Sequence, residues 1–129
     1  MRLLIVRHAE AAPGTPDELR SLTPAGRQQA RDLGSRLRDE GLVPDVVLSS
    51  PLLRARETAQ ALALGEPEPD ERLAPGATAE QVRAAVAGRG ETVLVVGHQP
   101  DCGRVAAALG DGTEPAFPPA GLAVLELDE

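Results

Sequence analysis

Three short runs of aliphatic residues constrain the fold of this chain more than any other feature. They lie at 2–6 (RLLIV), 45–49 (DVVLS) and 92–96 (TVLVV), and a fourth run, LAVLEL at 122–127, follows near the end of the chain. Strands that are apolar on both sides are typical of a sheet covered by helices on both faces. The sequence therefore predicts an α/β fold with a mostly parallel central sheet flanked by helices on both faces.

Four segments between and after the first three runs carry apolar residues on one side of a predicted helix. Each begins at a capping residue or a proline, which are the residue types favoured at helix N-termini. The expected starts are Thr23 before Pro24, with Gly41 ending that helix, then Ser49 or Ser50 before Pro51, Thr78 in the capping box TAEQ, and Pro100. The expected inward-facing residues are Ala30, Leu33, Gly34 and Leu37, then Leu52, Ala55, Ala59 and Leu62, then Val82, Ala85 and Val86, and finally Cys102, Val105, Ala106 and Leu109.

The length of 129 residues suits a single domain over 1–129, because one core commonly occupies roughly 100 to 150 residues. Segments 65–76 and 110–121 are rich in proline and glycine and are expected to be surface loops. The single cysteine, Cys102, is expected in the core, and it fits a reducing compartment. With neither a membrane-length apolar run nor a secretory cleavage pattern, we expect a cytoplasmic protein with no membrane segment.

The charged residues exclude several classes of function. The net charge of −7 would repel a nucleic-acid backbone, and no run of arginines suggests a basic patch. All 13 basic residues are arginine. Without a lysine, the chain cannot be a Walker-type nucleoside triphosphatase or an enzyme that forms a Schiff base.

Polar residues follow three of the predicted strands at the point where each strand ends. Arg7 and His8 follow the first strand, Arg54 lies about one turn into the helix after the second, and Gly97 and His98 follow the third. Ligands of open parallel sheets bind beyond the carboxyl ends of the strands. Because planar guanidinium groups match the oxygens of a phosphate, these residues predict a phosphate pocket that contains both histidines of the chain.

A metal site is the alternative use of the same residues. His8 and His98 could bind zinc with Glu10 or Asp101 as a third ligand. The two neighbouring arginines would then crowd a divalent cation with like charge. We therefore expect no metal and no cofactor.

The motifs VRHAE, LTPAG, SSPLLRARETA and VVGHQPD resemble, in order and spacing, those of the histidine phosphatase superfamily. Within that superfamily they are similar to the short SixA-type phosphohistidine phosphatases. The resemblance spans residues 2 to about 109, and it includes one departure, because Ala9 replaces the glycine of the usual Arg-His-Gly triplet, as is common in the SixA-like branch. It implies a phosphoglycerate mutase-like fold.

The resemblance also implies a mechanism and a substrate class. His8 would be the nucleophile of a metal-independent phosphohydrolase, forming a covalent phosphohistidine that water hydrolyses. Arg7 and Arg54 would bind the phosphoryl oxygens, and His98 would donate a further hydrogen bond. The implied partner is a phosphorylated protein, such as a histidine-phosphorylated domain, with a small phosphate ester as the alternative.

The acid that protonates the leaving group is not evident in the sequence. Phosphatases that cleave esters generally use a carboxylic acid, because an alkoxide leaves badly. The corresponding loop has Arg72 where an acid is expected, so that Glu71, Asp70 and Glu10 are the candidates. If none serves, phosphohistidine becomes the favoured substrate, since imidazole departs with less proton assistance. A small-molecule phosphomonoesterase and a non-catalytic phosphate-binding module remain alternatives.

Overall fold

The computed structural model describes residues 1–128 and contains the predicted α/β sheet. Its strands are β1 (Arg2–Arg7), β2 (Val46–Ser49), β3 (Glu68–Pro69), β4 (Thr92–Gly97) and β5 (Leu122–Glu126). They lie in the order β3-β2-β4-β1-β5, and every neighbouring pair is parallel except β1 with β5. The mostly parallel sheet is confirmed, and the last strand is an antiparallel edge.

Four helices cover the two faces of this sheet. They are α1 (Pro24–Asp39), α2 (Leu53–Leu62), α3 (Ala79–Val86) and α4 (Asp101–Leu109). Alternate residues of β1 separate the two cores, because Leu4 packs with α1 and α2 whereas Leu3 packs with α3 and α4. Both faces are therefore buried, as the uninterrupted apolar strands predict.

Local capping signals place two of the helices as predicted. The Thr23 side chain accepts a hydrogen bond from the Gly26 amide at the start of α1. At the start of α3, Thr78 and Gln81 exchange side-chain and backbone hydrogen bonds in a complete capping box. These interactions use only neighbouring residues, which explains why the sequence reveals them.

The start of α2 differs from the prediction. The helix begins at Leu53 rather than Pro51, and neither Ser49 nor Ser50 caps it. The hydroxyl of Ser50 accepts from the Leu52 amide in the turn before the helix and also contacts His98, so it is committed elsewhere. Leu52 is only half-buried and lies outside the core.

Two predicted surface loops contain more structure than expected. Segment 65–76 holds the short edge strand β3 and a 3-10 helix, Glu71–Leu73. Segment 110–121 places Phe117 in the core beside α4. An additional 3-10 helix, Asp17–Leu19, precedes α1. No helix within residues 1–128 has the length and hydropathy needed to cross a membrane.

Candidate active site

Three neighbouring strands end side by side and bring the predicted site residues together. Arg7 is in register with Gly97 of β4, and the His8 amide donates to the Gly97 carbonyl at 2.9 Å. The His8 and His98 rings lie with their centroids 5.3 Å apart at an interplanar angle of 57°. The next strand, β2, leads into α2 and thereby to Arg54. The candidate site lies at the carboxyl edge of the sheet, where the sequence predicts it.

His8 is held as a neutral imidazole, and within residues 1–128 only one of its ring nitrogens is hydrogen-bonded. Its Nδ1 lies 2.7 Å from the Ala9 carbonyl oxygen, which can only accept a hydrogen bond, so Nδ1 carries the proton. Burial lowers the pKa of His8, the bond to Ala9 opposes that shift, and the charges of Arg54, Arg7 and Arg20 lower the pKa further. The free Nε2 therefore keeps a lone pair near pH 7.

Both predicted arginines are anchored through their terminal nitrogens. Arg7 donates from Nη1 to the Phe117 carbonyl at 2.9 Å. Arg54 is only 7% exposed, and it donates from Nη1 to the Asp17 carbonyl at 2.9 Å and from Nη2 to the Asp17 carboxylate at 3.2 Å. In each arginine the Nε atom is buried and has no hydrogen-bond partner among the described residues.

His98 is also neutral, and only one of its two ring nitrogens is hydrogen-bonded within residues 1–128. Its Nε2 lies 2.7 Å from the hydroxyl oxygen of Ser50, while its Nδ1 is buried without a partner among residues 1–128. Burial lowers the pKa of His98 to about 4, and the neighbouring His8 and Arg54 lower it in the same direction. The ring therefore carries no charge at neutral pH.

Three buried nitrogens, on Arg7, Arg54 and His98, thus lack a partner in the part of the chain that the structure describes. Buried polar groups are nearly always paired, so an unpaired group needs an explanation such as a ligand. The two guanidinium nitrogens are donors under all ordinary conditions. Guanidinium and ring N–H donors of this kind match the oxygens of a tetrahedral oxyanion, and the His98 ring that carries one of the unpaired nitrogens lies 5.3 Å from the His8 ring.

Comparison with known proteins identifies the family of this chain. The model of the histidine phosphatase superfamily (branch 1) matches residues 3–78. The chain belongs to the histidine phosphatase superfamily. The resemblance seen in the motifs is confirmed, and so is the expected enzyme class, a histidine phosphatase.

Relatives of this histidine phosphatase include proteins similar over most of their length. An uncharacterized protein of Picosynechococcus is 37% identical over 123 residues, which cover 87% of this chain and 74% of the relative. The phosphohistidine phosphatase SixA of Escherichia coli is 31% identical, with 100% of this chain and 87% of the relative covered. A solved structure of the protein histidine phosphatase SixA complexed with tungstate superimposes with a TM-score of 0.90 at 30% identity, covering 99% of this chain and 89% of the other. The predicted phosphoglycerate mutase-like fold is confirmed.

Sequence reasoning missed four polar residues that support the site of this histidine phosphatase. The Asp17 carboxylate bridges Arg54 and Arg20, at 3.2 Å and 3.1 Å. The fully buried Thr58 hydroxyl accepts from the Ala9 amide at 2.9 Å and donates to the Arg54 carbonyl at 2.8 Å, which ties the loop after the nucleophile to α2. The missed residues are Asp17, Arg20, Ser50 and Thr58.

Of the three candidate acids, two accept hydrogen bonds from other residues and the third is exposed. The Glu10 carboxylate accepts from the Thr23 hydroxyl at 2.6 Å. Asp70 accepts from the guanidinium and the amide of Arg72, and the hydrogen bond to that side chain lowers the pKa of Asp70. Glu71 is exposed in its 3-10 helix. Asp101, the alternative metal ligand, accepts from the Gly76 amide at 2.7 Å.

Proposed function

We propose that this histidine phosphatase hydrolyses phosphohistidine in a protein substrate, with His8 as the nucleophile. The observation that carries the proposal is a neutral His8 together with buried nitrogens on Arg7, Arg54 and His98 that have no partner within residues 1–128. Relatives named as SixA phosphohistidine phosphatases support the substrate class. The proposed phosphate ligands are Arg7, Arg54 and His98.

In the first step, His8 Nε2 attacks the phosphorus in line. A nitrogen–phosphorus bond forms on His8 while the phosphorus–nitrogen bond of the substrate breaks. The electron pair of the broken bond stays on the substrate ring, which departs as neutral imidazole because its other nitrogen carries a proton. The hydrogen bond from Nδ1 to the Ala9 carbonyl orients the ring and stabilises the positive charge that develops on it. Arg7 and Arg54 neutralise the phosphoryl oxygens, whose charge is greatest in the transition state.

In the second step, water attacks the phosphoryl group on His8. An oxygen–phosphorus bond forms, the bond to Nε2 breaks, and the electron pair returns to the ring. One proton of the attacking water is released, and inorganic phosphate leaves. The arginines serve both steps, because the same equatorial oxygens carry the charge in each transition state.

The carboxylates near the pocket favour a substrate with a good leaving group. Hydrogen bonding to Arg20 lowers the pKa of Asp17, with further lowering by Arg54, and Arg72 lowers the pKa of Asp70. A carboxyl group whose pKa is lowered is a poor proton donor near pH 7. An imidazole leaving group needs less proton transfer than an alkoxide does, which favours phosphohistidine over a phosphate ester.

We further propose that the chain acts as one domain over 1–129, in the cytoplasm, without a metal, a nucleic acid or a membrane as partner. The net charge of −7 opposes binding to a nucleic-acid backbone. Two arginines beside the histidines oppose binding of a divalent cation in the pocket.

The test measures phosphate release from a phosphohistidine protein, a phosphoserine peptide and a sugar phosphate, with a chelator present. We expect the phosphohistidine protein to be the best substrate. His8→Ala should lower kcat by about three orders of magnitude or more. The matched control is Arg31→Ala on the exposed side of α1, which should act like wild type.

Two results would reject the proposal. Equal activity of the wild-type protein and His8→Ala would exclude His8 as the nucleophile. Tight vanadate binding without turnover of the phosphohistidine protein would reject phosphohistidine hydrolysis.

A further inference from the structure

We propose that Ser50 fixes the tautomer of His98, so that His98 presents Nδ1–H as a hydrogen-bond donor. Ser50 is then a positioning residue that acts through His98. The tautomer is a property of the protein alone, whereas its use in phosphoryl binding rests on the proposed function.

The hydrogen-bonding partners of the Ser50 hydroxyl set its direction. Ser50 is fully buried, and its oxygen accepts from the Leu52 amide at 3.2 Å and lies 2.7 Å from His98 Nε2. A hydroxyl group has one proton to donate. The Leu52 amide occupies one lone pair of the Ser50 oxygen. Among the described residues, the acceptor that the Ser50 hydroxyl proton can reach is then His98 Nε2. The Nε2 atom must then be unprotonated, and in a neutral ring the proton is on Nδ1.

The opposite arrangement leaves more buried groups unpaired. If Nε2 carried the proton and donated to Ser50, the Ser50 hydroxyl proton would lose its acceptor. His98 Nδ1 would also become a bare lone pair, and it has no donor to accept from among the residues described. Each unpaired buried group is costly. In the proposed arrangement only the Nδ1–H is unpaired, and an anion at the site would satisfy it.

The neutral state of His98 makes the tautomer matter. Burial, helped by the charge on Arg54, lowers the pKa of His98 to about 4, so near pH 7 the ring has one N–H and one lone pair. The nitrogen bound to Ser50 is occupied, which leaves Nδ1 to face a substrate. A lone pair at Nδ1 would repel a phosphoryl oxygen, whereas Nδ1–H would bind it.

The same tautomer is independently required at His8. There the Ala9 carbonyl accepts from Nδ1 and leaves Nε2 bare as the nucleophile. The two rings of the site thus carry the same tautomer but use it differently. In His8 the available nitrogen, Nε2, offers an electron pair, whereas in His98 the available nitrogen, Nδ1, donates a hydrogen bond. A backbone carbonyl fixes the first ring, and the Ser50 hydroxyl fixes the second.

The decisive measurement is nitrogen NMR of the wild-type protein with 15N-labelled histidine near pH 7. The chain has two histidines, so the rings give two sets of signals that His8→Ala and His98→Ala assign. We expect both rings to be protonated at Nδ1 and bare at Nε2. An Nε2–H tautomer of His98 in the wild-type protein would overturn the proposal, whether or not the protein proves to hydrolyse phosphohistidine.

A pair of serine variants tests the role of the hydroxyl. Ser50→Ala should shift His98 towards Nε2–H, leave the signals of His8 in place, and weaken vanadate binding by about tenfold. Ser49→Ala is the matched control, because Ser49 is equally buried in the adjacent position and its hydroxyl contacts no partner among the described residues. It should bind vanadate within about twofold of wild type.

An unchanged His98 tautomer in Ser50→Ala would reject the positioning role. Equal losses of vanadate binding in Ser50→Ala and Ser49→Ala would also reject it, since a general packing defect would then explain both.

Discussion

A single imidazole, that of His8, sets the pH range in which the proposed reaction can run. The ring must be unprotonated to attack phosphorus, and its burial together with nearby arginines lowers its pKa from 6.5. Removing a proton from a group in a positive environment is easier because the charged form is disfavoured. The acid limb of kcat/KM is therefore expected below pH 6.5, with activity lost as the pH falls through the lowered pKa of His8.

Arg20 offers a way to test this electrostatic control without removing a proposed phosphate ligand. Its guanidinium charge is one of those that lower the pKa of His8. Arg20→Gln removes a positive charge, which makes protonation of His8 easier and raises its pKa. We expect the acid limb of the kcat/KM profile to move to higher pH.

Two controls distinguish charge from structure at this position. Arg20→Lys keeps the charge, and it should keep the acid limb close to that of wild type. Arg31→Gln removes an arginine from the exposed side of α1 and should leave the profile unchanged. If the acid limb stayed in place in Arg20→Gln, or moved to lower pH, the Arg20 charge would not lower the pKa of the group that sets this limb.

At the scale of residues, the sequence reveals the two histidines that directly follow strands and misses residues whose part in the site depends on tertiary hydrogen bonds, such as Asp17, Ser50 and Thr58. His8 and His98 follow strands directly, so the topology of the sheet is enough to place them together. Arg20 lies in a segment without a predicted element, and its position depends on a hydrogen bond to the Ala12 carbonyl and on an isolated bridge between Ala11 and Leu22. No local pattern predicts such contacts.

At the scale of elements, the close packing of α1 on α2 depends on one glycine. A Cβ added at Gly34 would lie 2.1 Å from the Leu62 carbonyl oxygen, far inside van der Waals contact with a backbone atom. The helices would have to move apart. Because α2 carries Arg54, their contact also supports the position of a proposed phosphate ligand.

Gly34→Ala is therefore expected to destabilise the protein although alanine favours helices. The clash should cost roughly 1–3 kcal/mol, against about 1 kcal/mol gained from helix propensity, so the net effect is a loss or at best no gain. Urea unfolding measures it. Gly103→Ala in α4 is the matched control, because its nearest atom is the end of the flexible Glu114 side chain at 3.2 Å, and it should not destabilise. An equal increase of the free energy of unfolding in both variants would show that α1 and α2 can move apart without cost.

Helix starts show the limit of sequence reasoning at this scale. The capping box of α3 involves Thr78 and Gln81 alone, so the sequence predicts it correctly. At α2 the sequence contains two good capping serines, yet the Ser50 hydroxyl contacts His98, which lies 48 residues away. A tertiary hydrogen bond competes with the local one, and the helix begins later than predicted.

At the scale of the whole molecule, the segment that follows α4 holds Arg7 in place. The Phe117 carbonyl accepts a hydrogen bond from the Arg7 side chain, and the Gly121 carbonyl accepts one from the backbone amide of Arg7 at 3.0 Å. The strand that follows, β5, pairs antiparallel with β1. A segment that resembles a surface loop in the sequence therefore holds a proposed phosphate ligand, because its proline-rich and glycine-rich composition says nothing about what its carbonyl groups contact.

The buried imidazole of His98 links the site to the stability of the entire fold. In the folded protein its pKa is about 4, whereas an unfolded chain has the ordinary value of 6.5. As the pH falls below 6.5, the unfolded state binds a proton that the folded state does not, so the free energy of unfolding decreases. Above 6.5 both states are neutral at this residue, and its contribution is constant.

This linkage predicts a loss of about 2 kcal/mol in the free energy of unfolding between pH 7 and pH 5 from His98 alone. The lowered pKa of His8 adds to it with the same sign. Asp17 and Asp70 have lowered pKa values too, but their contributions are lost mainly below their ordinary value of 3.8, outside this interval.

Urea unfolding of wild type and His98→Gln between pH 7 and pH 5 isolates the contribution of His98, because glutamine does not titrate. The variant should lose markedly less stability on acidification, whatever its stability at pH 7. If the free energy of unfolding fell with pH equally steeply in the variant and in wild type, His98 would be accessible to protons in the folded state.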